Sequence, residues 1–272
     1  MRVEIRNLFR LIRMGAFNDG APILLEPMSE FKWQRMVDIA IYNNVSNIVI
    51  PTLLDAQNHP DFNFTESLKN EWLQRAQQNA DREEKAATIA NDDEVKITNF
   101  YLNHRLKKLI DKERHTIDTS INSIYLLQLY ISLTSAILSQ NFKLSQLVRV
   151  GKFLREEGDK VDYIKFEKWI KELHIRKMVD LESSMLIQLL EFSVDEFPFL
   201  HSQIDTATKL ALTNISAVSK YDIMYYNERA NNSDRTTLAL LKNNRRYMKY
   251  YPAEATSKVI QKIFTSISQI EE

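Results

Sequence analysis

Residues 243–252, NNRRYMKYYP, group three cations, Arg245, Arg246 and Lys249, with three phenols, Tyr247, Tyr250 and Tyr251. Cations beside flat π faces are what a single-stranded nucleic acid, a nucleotide phosphate or an acidic partner helix would engage, through charge and stacking together. On a helix, Arg245 and Lys249 share one face with Arg246 beside them. The same residue types also suit a helix end, where cations oppose the dipole and tyrosines anchor the following segment. Arg245, Arg246, Tyr247, Lys249 and Tyr250 are therefore the candidate ligand- or partner-binding residues. The competing expectation is that Tyr247, Tyr250 and Tyr251 pack inward and the cations only cap.

Other chemistry has little to stand on. The chain contains no G-x-x-x-x-G-K-[ST], no G-x-G-x-x-G, no H-E-x-x-H and no G-x-S-x-G. Its five histidines, His59, His104, His115, His174 and His201, include no pair at the three- or four-residue spacing that brings two ligands to one metal on a helix. Asp81 with Glu83, and Asp92 with Glu94, fall in predicted helix, where residues two apart diverge, so they read as solvated charges and not as a magnesium pair. No catalytic residue, metal ligand or cofactor is expected.

Thirty-six Lys and Arg balance thirty-six Asp and Glu, so no global field recruits nucleic acid or anionic lipid, and nucleic acid is not the expected partner. A chain of 272 residues, 44% hydrophobic and 26% charged, has the composition of an ordinary globular protein. Zero cysteines exclude disulfides and thiolate metal sites and fit a reducing compartment, so the expected location is cytoplasmic. The start, MRVEIRNLFRLIRMGAF, spreads arginines through its apolar residues as an amphipathic helix does and lacks the uninterrupted apolar run of a signal peptide. The most apolar stretch, residues 124–138, contains Gln128, Ser132, Thr134 and Ser135 and reads as a buried helix instead of a membrane span.

Four glycines and six prolines leave few breaks, which favours helices over short strands. The fold class expected is all-α: one multi-helix domain comprising N-terminal helices (1–63), a long helix from about 65 to 113 with Asn91 as its weak point, a helical region (116–200) and C-terminal helices (201–272). Leu68, Trp72, Ala76 and Ala80 follow Thr65 at four-residue spacing, and Ile97 with Tyr101 resume an apolar face. Residues 29–44 carry Phe31, Met36 or Val37, and Ala40 or Ile41 on one stripe after Ser29 as N-cap. Asp162 caps a helix that turns Phe166, Trp169 or Ile170, and Leu173 inward; Leu186, Leu189 and Leu190 follow. The last helix turns inward Val259, Ile263 and Phe264 or Ile267. SNIVIPTLL (46–54) is β-branched, but Pro51 suits a short helix or loop as well as a strand.

Leu144 and Leu147, then Gly158, Asp159, Val161, Asp162 and Tyr163, occur in the order found in the helical region downstream of the catalytic core in a family of uncharacterised nucleotidyltransferases, which residues 124–180 resemble. NLFRLIRMGAF, the segment from Phe31 to Gln57 and the helix after Thr65 are similar to the region preceding that core, and NNRRYMKYYPAEA to the family's C-terminal end. The resemblance implies a core between these regions, with a Gly-Ser pair for nucleotide phosphates and a strand-borne acidic pair for magnesium. This chain has no Gly-Ser dipeptide and passes from residues 101–120 almost directly into 121–130. The family's usual histidines have no counterpart in LLQLYISLTSAIL, and Arg149 stands where an acidic residue is common. Without metal ligands in-line nucleotidyl transfer has nothing to neutralise its developing charge. The expected function is a non-catalytic binding or regulatory module that engages a protein partner or a full-length relative through the surface that would hold the missing core; an exposed apolar face beside the helices around 100–145 would support it. The alternative is an enzyme, or a nucleotide or nucleic-acid binder, using an unrecognised site, of which the patch at 245–251 is one candidate.

Overall fold

In the computed structural model, residues 1–18, 24–55, 64–90, 95–116, 120–215 and 237–268 are described, with main chain only for 82–90, 237–238 and 266–268. Every regular element among them is helical and none is a strand: the fold is all-α. The helices are α1 (Val3–Phe17), α2 (Glu30–Tyr42), α3 (Ser46–Asp55), α4 (Glu66–Ala90), α5 (Phe100–Arg114), α6 (Ile121–Leu138), α7 (Leu144–Glu157), α8 (Tyr163–Glu172), α9 (Arg176–Leu190), α10 (Ala207–Ile215), α11 (Thr237–Tyr247) and α12 (Pro252–Ser268). Short 3-10 turns occupy Gly158–Lys160 and Val194–Glu196.

The described residues form two compact units, one drawn from within Met1–Asp93, Lys143–Val148 and Ile215–Glu228, the other from Glu94–Phe142, Arg149–Asn214 and Arg229–Glu272. In the first, α1 packs on α3, and α3 on α4. Leu8, Leu11 and Ile12 of α1 meet a core shared with Met36, Val37, Val49, Ile50, Leu53 and Trp72. Gly15 allows the close approach of α1 to α3, because a Cβ there would collide with the Thr52 hydroxyl and the Ile48 side chain. Trp33, Phe64 and Trp72 stack edge to face, with centroids 5.5 and 5.0 Å apart, and the Trp72 indole donates to Gln34 Oε1 at 2.7 Å. The β-branched run from Ser46 becomes helix α3 because Val49, Ile50 and Leu53 bury one face, which overrides their strand preference.

Several sequence expectations change at this level. The helix predicted from about 65 to 113 is two helices. Asn91, the weak point that the sequence indicates, lies outside the described residues; Thr65 Oγ1 accepts from Leu68 N at 3.4 Å at the start of α4, and Asn99 caps α5 by accepting from Leu102 N at 3.1 Å. On α2 the buried aromatic is Trp33, while Phe31 is exposed; and although Ile97 is buried, Tyr101 is exposed and holds Arg105 over its ring at 4.4 Å.

The second unit is built around α6, whose apolar residues are buried almost all round. By length and composition α6 could cross a membrane, yet 67% of it is buried inside the protein. Tyr130, Phe166 and Phe199 form an aromatic cluster with centroids 4.8 to 5.8 Å apart. Asp162 caps α8 as the sequence indicates, accepting from Lys165 N at 3.0 Å, while its own N–H donates to Ser123 Oγ at 2.8 Å. Phe166, Trp169, Ile170, Leu173, Leu186, Leu189 and Leu190 all face inward as expected.

Candidate functional site

The basic-aromatic stretch divides by helical periodicity into two sets. Asn243, Asn244, Tyr247, Tyr250 and Tyr251 are buried, whereas Arg245, Arg246, Met248 and Lys249 are exposed. Asn243 donates its carboxamide to the Ile137 carbonyl at 3.0 Å, tying α11 to α6, and Asn244 donates to Ala255 O at 3.2 Å, tying α11 to α12. The tyrosine hydroxyls are engaged as well: Tyr247 accepts from Asn214 Nδ2 at 3.0 Å, Tyr250 pairs with Thr206 Oγ1 at 3.1 Å, and Tyr251 donates to the Leu173 carbonyl at 3.2 Å. Burial pushes the Tyr247 and Tyr251 hydroxyls above the usual phenol range. These rings offer no open face on which a base could stack. The sequence expectation that Tyr247 and Tyr250 present binding surfaces therefore meets an interior setting, and the inward-packing alternative describes all three tyrosines.

The cations stay at the surface. Lys242, Arg245, Arg246 and Lys249 have no carboxylate partner among the described residues, and the Lys249 ammonium sits 4.7 Å from the centroid of the Tyr250 ring. The acidic residue of the hairpin, Glu254, faces elsewhere. It is buried and accepts from Thr98 N and Asn99 N, both at 2.8 Å, so its charge is engaged at the N-terminus of α5. The remaining charges of α12 are Lys258 and Lys262. Lys258 donates to Ser135 Oγ and Ser139 Oγ, each at 2.9 Å, and partial burial holds its ammonium below the ordinary lysine range.

Between α11 and α12 runs a groove of about 570 Å³ lined by Leu241, Asn244, Met248, Val259 and Ile260, with Thr256, Lys242 and Arg245 also on its wall. Its registers are regular. On α12, Thr256, Val259, Ile260 and Ile263 follow the i, i+3, i+4, i+7 pattern of one helix face, and Leu241, Asn244, Arg245 and Met248 repeat it across α11 and the turn after it. Leu241, Met248, Ile260, Ile263 and Phe264 are all exposed, Phe264 at 69%. The sequence assigns Ile263 and Phe264 to the core. The structure buries Ala255 and Glu254 of α12 instead and leaves Ile260 and Ile263 exposed. Ile267, the alternative to Phe264, lies outside the described side chains.

This groove is what sequence reading missed, although its signal was present. An amphipathic stripe on a C-terminal helix looks the same whether the chain itself or another molecule covers it. Near residues 100–145, where the sequence places an apolar face, the exposed large apolar residues among those described are Phe100, Tyr101 and Ile121, at the starts of α5 and α6.

The other chemically notable residues do not converge. His104 and His115 share one face of α5 with Asp111, but eleven residues of helix separate them by about 16 Å along the axis, too far for one metal ion. His174 and His201 are exposed, and His59, Asp92, Glu94 and the Glu83 side chain lie outside the described residues. No group of three His, Asp or Glu placed to hold a metal occurs among the described residues. One polar cluster lies deep in the second unit: Tyr130 and Ser183 pair at 2.9 Å, and Thr134 donates to Glu182 Oε1 at 2.8 Å. No family model, curated protein or solved structure matches the chain.

Proposed function

We propose that the chain is a non-catalytic helical interaction module that docks a protein partner in the groove between α11 and α12. One observation carries the reading: a concave strip in which two helices present apolar residues at helical spacing and leave them open to solvent. Exposed apolar side chains scattered singly need no explanation, but Leu241, Met248 and Ile260, exposed together on the walls of one groove, are the usual mark of an interface. A shared core does not account for them, since the inner faces of α11 and α12 are already filled by Tyr247, Tyr251 and Ala255. The resemblance to the helical scaffold of nucleotidyltransferases fits such a role, as the helices kept in this chain are those outside the family's catalytic core.

The test is site-specific. A photoreactive residue in place of Met248 should cross-link a defined polypeptide in intact cells, whereas the same group in place of Leu73, exposed on α4, should not. Adding Ile260→Glu should abolish the Met248 cross-link while leaving the circular dichroism spectrum unchanged, because Ile260 is 47% exposed and supports little of the core. A cross-linking pattern that is the same from both positions, or indifferent to Ile260→Glu, overturns the reading.

A further inference from the structure

Resting on that reading of the groove, we infer that its occupant is an amphipathic helix with acidic flanks supplied by another protein. The chain as a whole is neutral, with thirty-six charges of each sign. The described residues of the hairpin are not: Lys242, Arg245, Arg246, Lys249, Lys258 and Lys262 are cationic, and Glu254 is buried at the start of α5. Lys242 and Arg245 stand on the groove wall itself, with no carboxylate partner among the described residues. Arginine and lysine left unpaired beside an apolar strip select carboxylates on whatever lies in the strip and disfavour basic partners.

Leu241 and Met248 on one side and Val259 and Ile260 on the other line the concavity, at positions of the i, i+3, i+4, i+7 registers that match the anchors of a third helix laid between them. A lipid surface would be met by a convex apolar face of a single helix, flanked by cations on both sides. An extended nucleic acid would need open ring faces, and the tyrosines beside these cations are buried. A second copy of this hairpin would set its own Lys242 and Arg245 against those of the first, so electrostatics oppose self-association through the groove.

The experiment uses the full-length protein and three fluorescent helical peptides that share one apolar face and differ only in flanking residues, acidic, neutral or basic. Anisotropy titrations should rank acidic above neutral above basic. Replacing Lys242, Arg245 and Arg246 together by Gln should weaken the acidic peptide by about tenfold and leave the neutral one within about twofold. Salt at about 0.5 M should compress the acidic preference, since screening then acts within a few ångströms. If the neutral and acidic peptides bind equally and Ile260→Glu abolishes both, the groove stands as a docking site and the inference about charge is wrong. If no peptide binds, and either anionic phosphatidylserine vesicles bind in an Ile260-dependent way or the protein self-associates on dilution-series sedimentation, the acidic helix is wrong as the occupant. If no peptide binds and Ile260→Glu changes nothing in any arm, the groove reading itself falls.

Discussion

Glu182 offers the sharpest quantitative test of the second unit. Its side chain is fully buried, Oε1 accepts from the Thr134 hydroxyl, and Oε2 has no hydrogen-bond partner among the described residues. Burial pushes its carboxyl well above the ordinary value of 4.5, and the Thr134 hydrogen bond offsets this only in part. Below 4.5 the carboxyl is neutral in both the folded and the unfolded chain, so its burial carries no ionisation penalty. Above 4.5 the unfolded chain releases a proton that the folded chain still holds, and stability falls as pH rises, by up to about 1.4 kcal/mol per pH unit for one proton. The fall ends once pH passes the raised folded value. Glu182→Gln keeps the shape and the acceptor for Thr134 but cannot ionise. The difference between the wild-type and variant unfolding free energies, measured by urea titration at a series of pH values, should therefore slope downward from near pH 4.5 with that limiting slope. Asp180, whose carboxyl burial also raises, contributes to both proteins and cancels in the difference. Parallel curves would refute the reasoning, because they would mean that Glu182 is ionised in the fold or reached by water.

Three further outcomes follow from local geometry. Gly15→Ala should lower stability by about 1–3 kcal/mol, read from chemical denaturation, as the new methyl meets Thr52 and Ile48 where α1 and α3 are closest. Glu254→Gln should weaken the N-terminal end of α5 by about 1–2 kcal/mol, seen as faster amide hydrogen exchange at Thr98 and Asn99, because a charged acceptor for two backbone donors becomes a neutral one. Glu26, held down to about 2 by its hydrogen bond and charge pairing with Arg6, with Arg10 adding to both, stabilises the first unit above its ordinary value of 4.5 and loses that contribution as pH falls toward 2. Thermal melts of Glu26→Gln should accordingly show less loss on acidification than wild type, and equal acid sensitivity would count against the pairing.

Much of the helical architecture is legible in the order of residues, because an apolar period of 3.6, capping residues such as Asp162 and Asn99, and few glycines act within a turn or two of chain. The burial of α6 was legible for the same reason: an apolar helix interrupted by hydroxyl residues needs protein around it. Where a decision depended on partners far along the chain, local pattern could not make it. The strand-prone run after Ser46 becomes α3 because α1 and α4 cover Val49, Ile50 and Leu53. The tyrosines of residues 247–251 go inward because Asn214, Thr206 and Leu173 supply their hydrogen-bond partners, 33, 44 and 78 residues away. Glu254 becomes a cap for a helix that begins more than 150 residues earlier, which removes the hairpin's acidic charge from its surface. The stripe on α12 is the clearest case. Its spacing specifies an amphipathic helix, but an apolar face is attracted to any apolar surface without direction, so only the packed structure decides that Ile260 and Ile263 stay exposed.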